Sequence, residues 1–356
     1  IVVARAAPRF VRPSGDPRGV QRLTASCLLL ALTVFCLGRA FGTRGFLDFW
    51  SEWNYSGYQD TRADATRVKA WPELEALVDE MRTLPAGRAV WEGGGALDNY
   101  GTPLALELLP HWTDGRIQSV EGLYFESSAT TPYHFMGVSP ISGPGNASNP
   151  VRGLDYRQIG DFSLGVRWMQ IMGEQYYLAW SDAAKAAADA DPRLRLLATT
   201  PDTDGQDPKG WSIYRVSGSR LVEGLRAEPV VSRARAGTQP ECFSRPATAG
   251  ARNPELGPWE CLGVGWFNDP AALDRVLAAS GPARWRRIAN PVDARASRRR
   301  ALPAVQVRDV RRTDHSISFR VSRPGVPVIV RESYYPNWRV RGADGPYRVK
   351  IGRAHV

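Results

Sequence analysis

The stretch Leu23 to Phe41, LTASCLLLALTVFCLGRAF, carries no charge before Arg39. A bilayer core of about 30 Å takes roughly 20 mostly apolar helical residues. This run sits at the short end of that span, and Arg39 can extend it by snorkelling to a headgroup. Upstream, Arg5, Arg9, Arg12, Arg18 and Arg22 are opposed only by Asp16. That bias predicts a cytoplasmic N-terminus, with everything after Gly42 outside the cell. The spacing thus predicts a transmembrane helix over 23–41. A signal peptide and a buried core helix stay open as other readings. The long apolar core argues against the signal peptide, which needs a short one and a small-residue cleavage site. The chain opens on Ile1, so this helix is expected to be the last of several.

Charge supports the same picture. The formal net charge is +10, and residues 1–44, with seven Arg and one Asp, supply +6 of it. A flank charge of this kind suits anionic lipid and argues against a nucleic-acid partner. A second basic cluster runs from Arg284 to Arg312, with Arg298, Arg299 and Arg300 consecutive. It reads as a solvated linker or as a membrane-surface contact. Of the 4 cysteines, Cys27 and Cys36 fall inside the apolar segment and read as small hydrophobes. Cys242 and Cys261 flank a Pro/Gly-rich loop and predict a disulfide in an oxidising compartment. His is scarce and neither CxxC nor HExxH occurs, so no metal site and no cofactor is expected.

Along the chain, residues 1–22 form a basic cytoplasmic lead. Beyond the helix, Trp50, Trp53, Tyr55 and Tyr58 suit either an interfacial belt or the first core residues of the next domain. In WPELEALVDEMRTLP, residues 71–85, apolar side chains recur at helical spacing, with Pro72 early and Pro85 as the stop. GRAVWEG reads as a strand closed by Gly93, Gly94 and Gly95. SLGVRWMQIMGEQYYL, residues 163–178, reads as helix, Gly173 stop, then strand. Ser181 or Asp182 caps an Ala-rich helix ended by Pro192. LRLLATT and WSIYRVSG read as strands. This succession predicts an extracytoplasmic α/β domain over 42–225. Residues 226–303 read as a connector holding the cysteine pair and a helix, PAALDRVLAASG, capped by Asp269. Residues 304–349 alternate apolar and polar and predict a truncated antiparallel β-sandwich. The expected fold class is therefore membrane-anchored α+β. The ending IGRAHV is what ATCGGAAGAGCACACGTC, a sequencing-library adapter, encodes. Residues 350–356 are expected to be a non-biological tail.

Four blocks carry a resemblance: WNYSGYQD at 53–60, YGTPLALELLPHWTDGRIQSVEGLYFESSATTPYHF at 100–135, GVRWMQIMGEQYYLAWS at 165–181 and RESYYPNWRVRGADGPYRV at 331–349. Together they resemble actinobacterial polytopic membrane proteins similar to GT-C-type glycosyltransferases and YfhO-like membrane proteins. Some of these carry a label relating them to 6-pyruvoyl-tetrahydropterin synthase, although nothing in the residues supports pterin chemistry. The resemblance implies a multi-helix membrane region upstream and an extracytoplasmic C-terminal region represented by this chain. It also implies that the catalytic acid lies on an early outer loop outside this sequence.

The best site candidate by residue type is the stretch 121–134. Glu121 and Glu126 offer paired carboxylates of the kind glycosidases use. On a regular strand they would face opposite ways, so they converge only across a turn. His134 offers a base, and Tyr124 and Tyr133 offer rings to stack on a sugar. The competing reading puts the aromatics in a core and leaves Glu and His bonded to loop backbone. A second aromatic cluster, Tyr334, Tyr335 and Trp338, reads as sheet packing or as a sugar platform. Asp48 and Glu52 lie beside the span, and Asn146-Ala147-Ser148 fits a glycosylation sequon. The leading functional expectation is an extracytoplasmic portion that binds or positions an acceptor in cell-envelope glycan assembly. Its partners would be the lipid bilayer and a polyprenyl-phosphate sugar or envelope glycan. A non-enzymatic membrane-tethered scaffold or carbohydrate-binding module is the alternative, and an independent hydrolase using Glu121 and Glu126 ranks last.

Overall fold

The computed structural model describes residues 17–55, 70–94, 97, 100, 104–120, 131–145, 154, 156–201, 210–232, 266–288 and 299–349. The first element, α1 (Pro17–Tyr55), is a continuous helix of 39 residues, longer at both ends than the apolar run predicts. Within it, Gly19–Asp48 is long and apolar enough to cross a bilayer, and its most apolar window is not buried. Leu28, Leu29, Leu30 and Phe35 are each about two-thirds exposed. That exposure removes the core-helix reading and leaves a membrane anchor or a signal sequence. Its polar residues are accommodated locally. Thr24 Oγ1 donates to the Val20 carbonyl at 3.0 Å and Thr33 Oγ1 to Leu29 at 2.8 Å, so neither hydroxyl needs water.

The helix and strand elements then follow as α2 (Ala70–Thr83), β1 (Gly87–Trp91), a short turn of helix α3 (Leu109–Trp112), β2 (Ile117–Ser119), α4 (Thr131–Val138), α5 (Phe162–Met172), β3 (Tyr176–Ala179), α6 (Asp182–Ala190), β4 (Leu194–Thr199) and β5 (Ser212–Val216). The five strands make one mixed sheet in the order β2-β1-β3-β5-β4. Strands β2, β1 and β3 run parallel, and β5 and β4 antiparallel to their neighbours. Alternation along the strands sorts the side chains onto two faces. Ala89, Trp91, Tyr176, Leu178 and Ile213 meet Leu74, Leu77, Val78 and Met81 of α2 on one side. Val90, Tyr177, Ala179, Tyr214 and Val216 meet α5 and α6 on the other. The protein is mixed α/β, with this sheet covered on both faces.

Helix α5 is the hinge of the architecture. Phe162, Val166 and Met169 pack on the main sheet, while Trp168 and Met172 face a second cluster with Phe267, Leu277 and Ile288. Trp168 stacks on Phe267 at 4.6 Å between centroids, and its Nε1 donates to the Phe267 carbonyl at 2.9 Å. A helix apolar on nearly all sides belongs between two layers, and α5 occupies that place.

The second layer is built from short strands: β6 (Val222–Gly224), β7 (Val230–Ser232), β8 (Leu277–Ala278), β9 (Arg287–Ile288), β10 (Val307–Arg312), β11 (Ile317–Val321) and β12 (Val328–Val330). Strands β8, β7 and β9 form a parallel three-stranded sheet. β10 and β11 form an antiparallel hairpin, and β12 pairs antiparallel with β6. Two corrections follow. Residues 304–349 do hold antiparallel strands, but among the described residues they form no sandwich, because β12 pairs with β6 instead of extending the β10–β11 hairpin. The helix expected over PAALDRVLAASG is a single turn. Asp269 caps it as expected, Oδ1 accepting from Ala271 N at 3.1 Å, but Leu277 and Ala278 are drawn into pairing with β7. Tertiary pairing overrides a local helical preference there.

Candidate functional site

Open α/β sheets bind ligands beyond the carboxyl ends of their parallel strands, where the connections diverge. Here that point lies between β1 and β3, and a side chain of the protein fills it. Glu92, directly after β1, is fully buried. Its Oε1 accepts from Gly143 N at 2.7 Å and from Ser181 Oγ. Its Oε2 accepts from Trp180 N at 3.0 Å and Ser181 N at 2.9 Å. Four donors from two segments saturate the carboxylate. Ser181 also caps α6, its Oγ accepting from Ala184 N at 3.2 Å. Glu92 thus ties β1, β3 and α6 together and leaves no acceptor lone pairs for a ligand of any size.

A sizeable concavity lies elsewhere, beneath α5 and beside β6 and β12. It has a volume of about 760 Å³, within the range of small-molecule sites. Its walls carry Arg167, Arg220, Arg226, Arg275, Arg299 and Arg331 against only two carboxylates among the described residues, Glu223 and Asp274. Apart from Gln170 the remaining side chains are apolar, including Trp266, Leu273, Val276 and Ile329.

Each end of this wall is fixed differently. Arg331 is buried, donating from Nε to the Ile171 carbonyl at 3.0 Å, from Nη1 to Arg220 O at 2.8 Å and from Nη2 to Glu223 Oε1 at 2.8 Å. It is a structural arginine whose charge is matched. Arg167 Nη2 meets Asp274 Oδ1 at 2.6 Å and Arg299 Nη1 meets Asp274 Oδ2 at 3.3 Å. Asp274 is therefore bracketed by two guanidinium groups from distant parts of the chain. Arg299 Nη2 also donates to Ala271 O at 2.9 Å. Beside them, burial and then the nearby Arg299 and Arg286 charges pull the Arg275 guanidinium below its ordinary pKa. Burial is the main cause, and the neighbouring positive charges add to it. The cavity is suited to an anion with an apolar portion. No group of His, Cys, Asp and Glu able to hold a metal ion occurs among the described residues.

No family model, curated protein or solved structure matches this chain. The comparisons therefore identify neither a GT-C-type nor a YfhO-like family, and the cavity's chemistry has to speak for itself.

Of the ligand-site residues proposed from sequence, the two that the structure describes, Tyr133 and His134, do not line this cavity. Glu121, Tyr124 and Glu126 lie outside the described residues, following β2 in the chain. Cys242, Cys261, Tyr58 and the 146–148 sequon lie outside them as well. Tyr133 and His134 fall on α4 and are buried, 2% and 7% exposed. Tyr133 packs edge-on against Phe267 at 5.1 Å, so its ring belongs to the core and presents no stacking face. Tyr335 is 61% exposed and Tyr334 36%, with the Arg348 guanidinium 5.7 Å from the Tyr334 ring. Sequence reading found Arg299 only as part of a basic run. Arg167, Arg220, Arg226, Arg275 and Arg331 carried no local signal, because the wall assembles from five separate segments.

Proposed function

We propose that this chain is the extracytoplasmic portion of a membrane protein acting in cell-envelope glycan assembly, and that its arginine-lined cavity binds a lipid-linked sugar phosphate. One observation carries the reading: six arginines and two carboxylates share a cavity whose other walls are mostly apolar. A phosphate is matched by guanidinium forks, and an isoprenoid or sugar face by Leu273, Val276 and Ile329. The exposed apolar helix α1 agrees with it, since it would hold the cavity near the bilayer that carries such a ligand. Its basic flank orients the helix with the N-terminus in the cytoplasm. The role is binding and positioning of the ligand, as for an acceptor.

The test is direct. The full chain in phosphatidylcholine nanodiscs is titrated with a polyprenyl monophosphate and with the matching neutral polyprenol. Saturable binding of the phosphate alone, weakened in Arg220→Gln/Arg226→Gln, is the expected result. Equal binding of the two lipids would remove the charge from the argument and the proposal with it.

A further inference from the structure

Asp274 presents its carboxylate on one side of the cavity. It sits between Arg167 and Arg299, at 2.6 and 3.3 Å from their terminal nitrogens, on the wall of the arginine-lined cavity. The two arginines come from unrelated places, α5 and the segment after residue 298, and Asp274 bridges their charges. Neither the main-sheet core nor the second cluster includes it, and its side chain is 52% exposed. An exposed ion pair of this kind contributes little to stability, on the order of 1 kcal/mol or less, so its persistence asks for another reason.

We propose that the Arg167–Arg299 pair is the phosphate seat of the cavity and that Asp274 is a built-in competitor for it. The inference rests on the anion-binding reading of the same cavity. The chemistry favours exchange. A carboxylate brings one negative charge, whereas a phosphate monoester brings about 1.5 to 2 and three acceptor oxygens. Two guanidinium groups present paired donors that a tetrahedral anion can accept from simultaneously. Asp274 stands on the single turn that Asp269 caps, a turn held by main-chain contacts of Ala272 and Leu273 to the Asp269 carbonyl at 2.9 and 3.2 Å. Those bonds do not involve the Asp274 carboxylate, so the side chain can swing out without unfolding the turn. The competitor would keep the arginines apart from adventitious anions and release them to a ligand of higher charge.

The experiment uses the full chain in phosphatidylcholine nanodiscs and two probes, inorganic phosphate and a polyprenyl monophosphate. Affinities are compared for wild type, Asp274→Asn, Asp274→Ala and Arg167→Gln/Arg299→Gln, with thermal midpoints to confirm folding. Both Asp274 variants are expected to bind phosphate about fivefold more tightly, the scale of a released exposed ion pair. The double arginine variant is expected to lose binding. Tightening for inorganic phosphate alone would support the seat and overturn a lipid source for the anion. Wild-type binding that the Asp274 variants leave unchanged would overturn the competitor while the cavity reading stands. Absence of binding in wild type and in both Asp274 variants would overturn both.

Discussion

The guanidinium of Arg88 donates to the main-chain carbonyl of Arg331 at 3.0 Å, joining residues 243 positions apart. The same Nη1 donates to the Met172 carbonyl at 2.7 Å, and Nη2 lies 3.5 Å from Glu332 Oε2. Arg88 is 5% exposed. One side chain on β1 thus clamps the end of α5 and the strand-end that follows β12. Removing it strands two buried carbonyls and uncovers Glu332, which Arg312 also contacts at 3.1 Å. Arg88→Leu is expected to cost about 3–5 kcal/mol, the range for breaking one side of a buried charge pair. Urea unfolding read by tryptophan fluorescence measures it. A loss below about 1 kcal/mol would show that the clamp carries no net stability.

Gly173 sits at the centre of that junction. It ends α5 in the left-handed region, at φ 73°, and a Cβ there would lie 2.9 Å from Arg331 Cδ. Gly173→Ala meets both backbone strain and a packed neighbour, and an expected loss of about 2–3 kcal/mol follows. Gly137, on α4, has ordinary φ, and a Cβ added there would meet nothing within 4 Å. Gly137→Ala is expected to be neutral or stabilising by about 0.5–1 kcal/mol. Thermal midpoints of the two variants should therefore move in opposite directions or differ by several degrees.

The Asp191 carboxyl is held below the usual carboxylate range, chiefly by the hydrogen bond from Arg193. Arg193 Nε and Nη2 reach it at 2.8 and 2.5 Å, and Arg193 Nη2 also donates to Ser163 at the start of α5 at 2.8 Å. A carboxyl whose folded pKa is depressed stabilises the fold above its unfolded value of about 3.9, and that contribution is lost as pH falls through the folded value. Asp191→Asn is expected to cost about 1–2 kcal/mol at pH 7. The gap between wild type and variant should close below about pH 4. A gap independent of pH across that window would assign the stability to packing.

Local periodicity made the main sheet and its helices readable. Leu74, Leu77, Val78 and Met81 repeat at helical spacing and all four are buried. Gly173 and Ser181 mark helix ends through backbone and capping chemistry that acts within a few residues. The second layer was not legible for the same reason. β12 finds β6, and β8 finds β7, through partners far apart in sequence, and an alternating pattern specifies a face but not a partner. The cavity is the extreme case, since Arg167 and Arg299 become one site only through the fold. Tyr133 stayed open between two readings in the sequence because an aromatic beside polar neighbours looks the same whether its ring meets a ligand or, as here, Phe267.

Glu92 supplies the sharpest test of the plugged switch point. Its two oxygens accept from Gly143 N, Ser181 Oγ, Trp180 N and Ser181 N. Gln retains the shape but turns one oxygen into an NH₂ group, which then faces donors. At least one buried N–H is left without an acceptor and the new NH₂ has too few acceptors of its own, at about 1–3 kcal/mol for each. Glu92→Gln is therefore expected to destabilise by about 2–4 kcal/mol despite its near-identical volume. Amide hydrogen exchange localises the effect, with Gly143, Trp180 and Ser181 exchanging faster while amides within β5 stay protected. Unchanged protection at Trp180 and Ser181 would mean that the carboxylate does not hold β3 and α6 to β1.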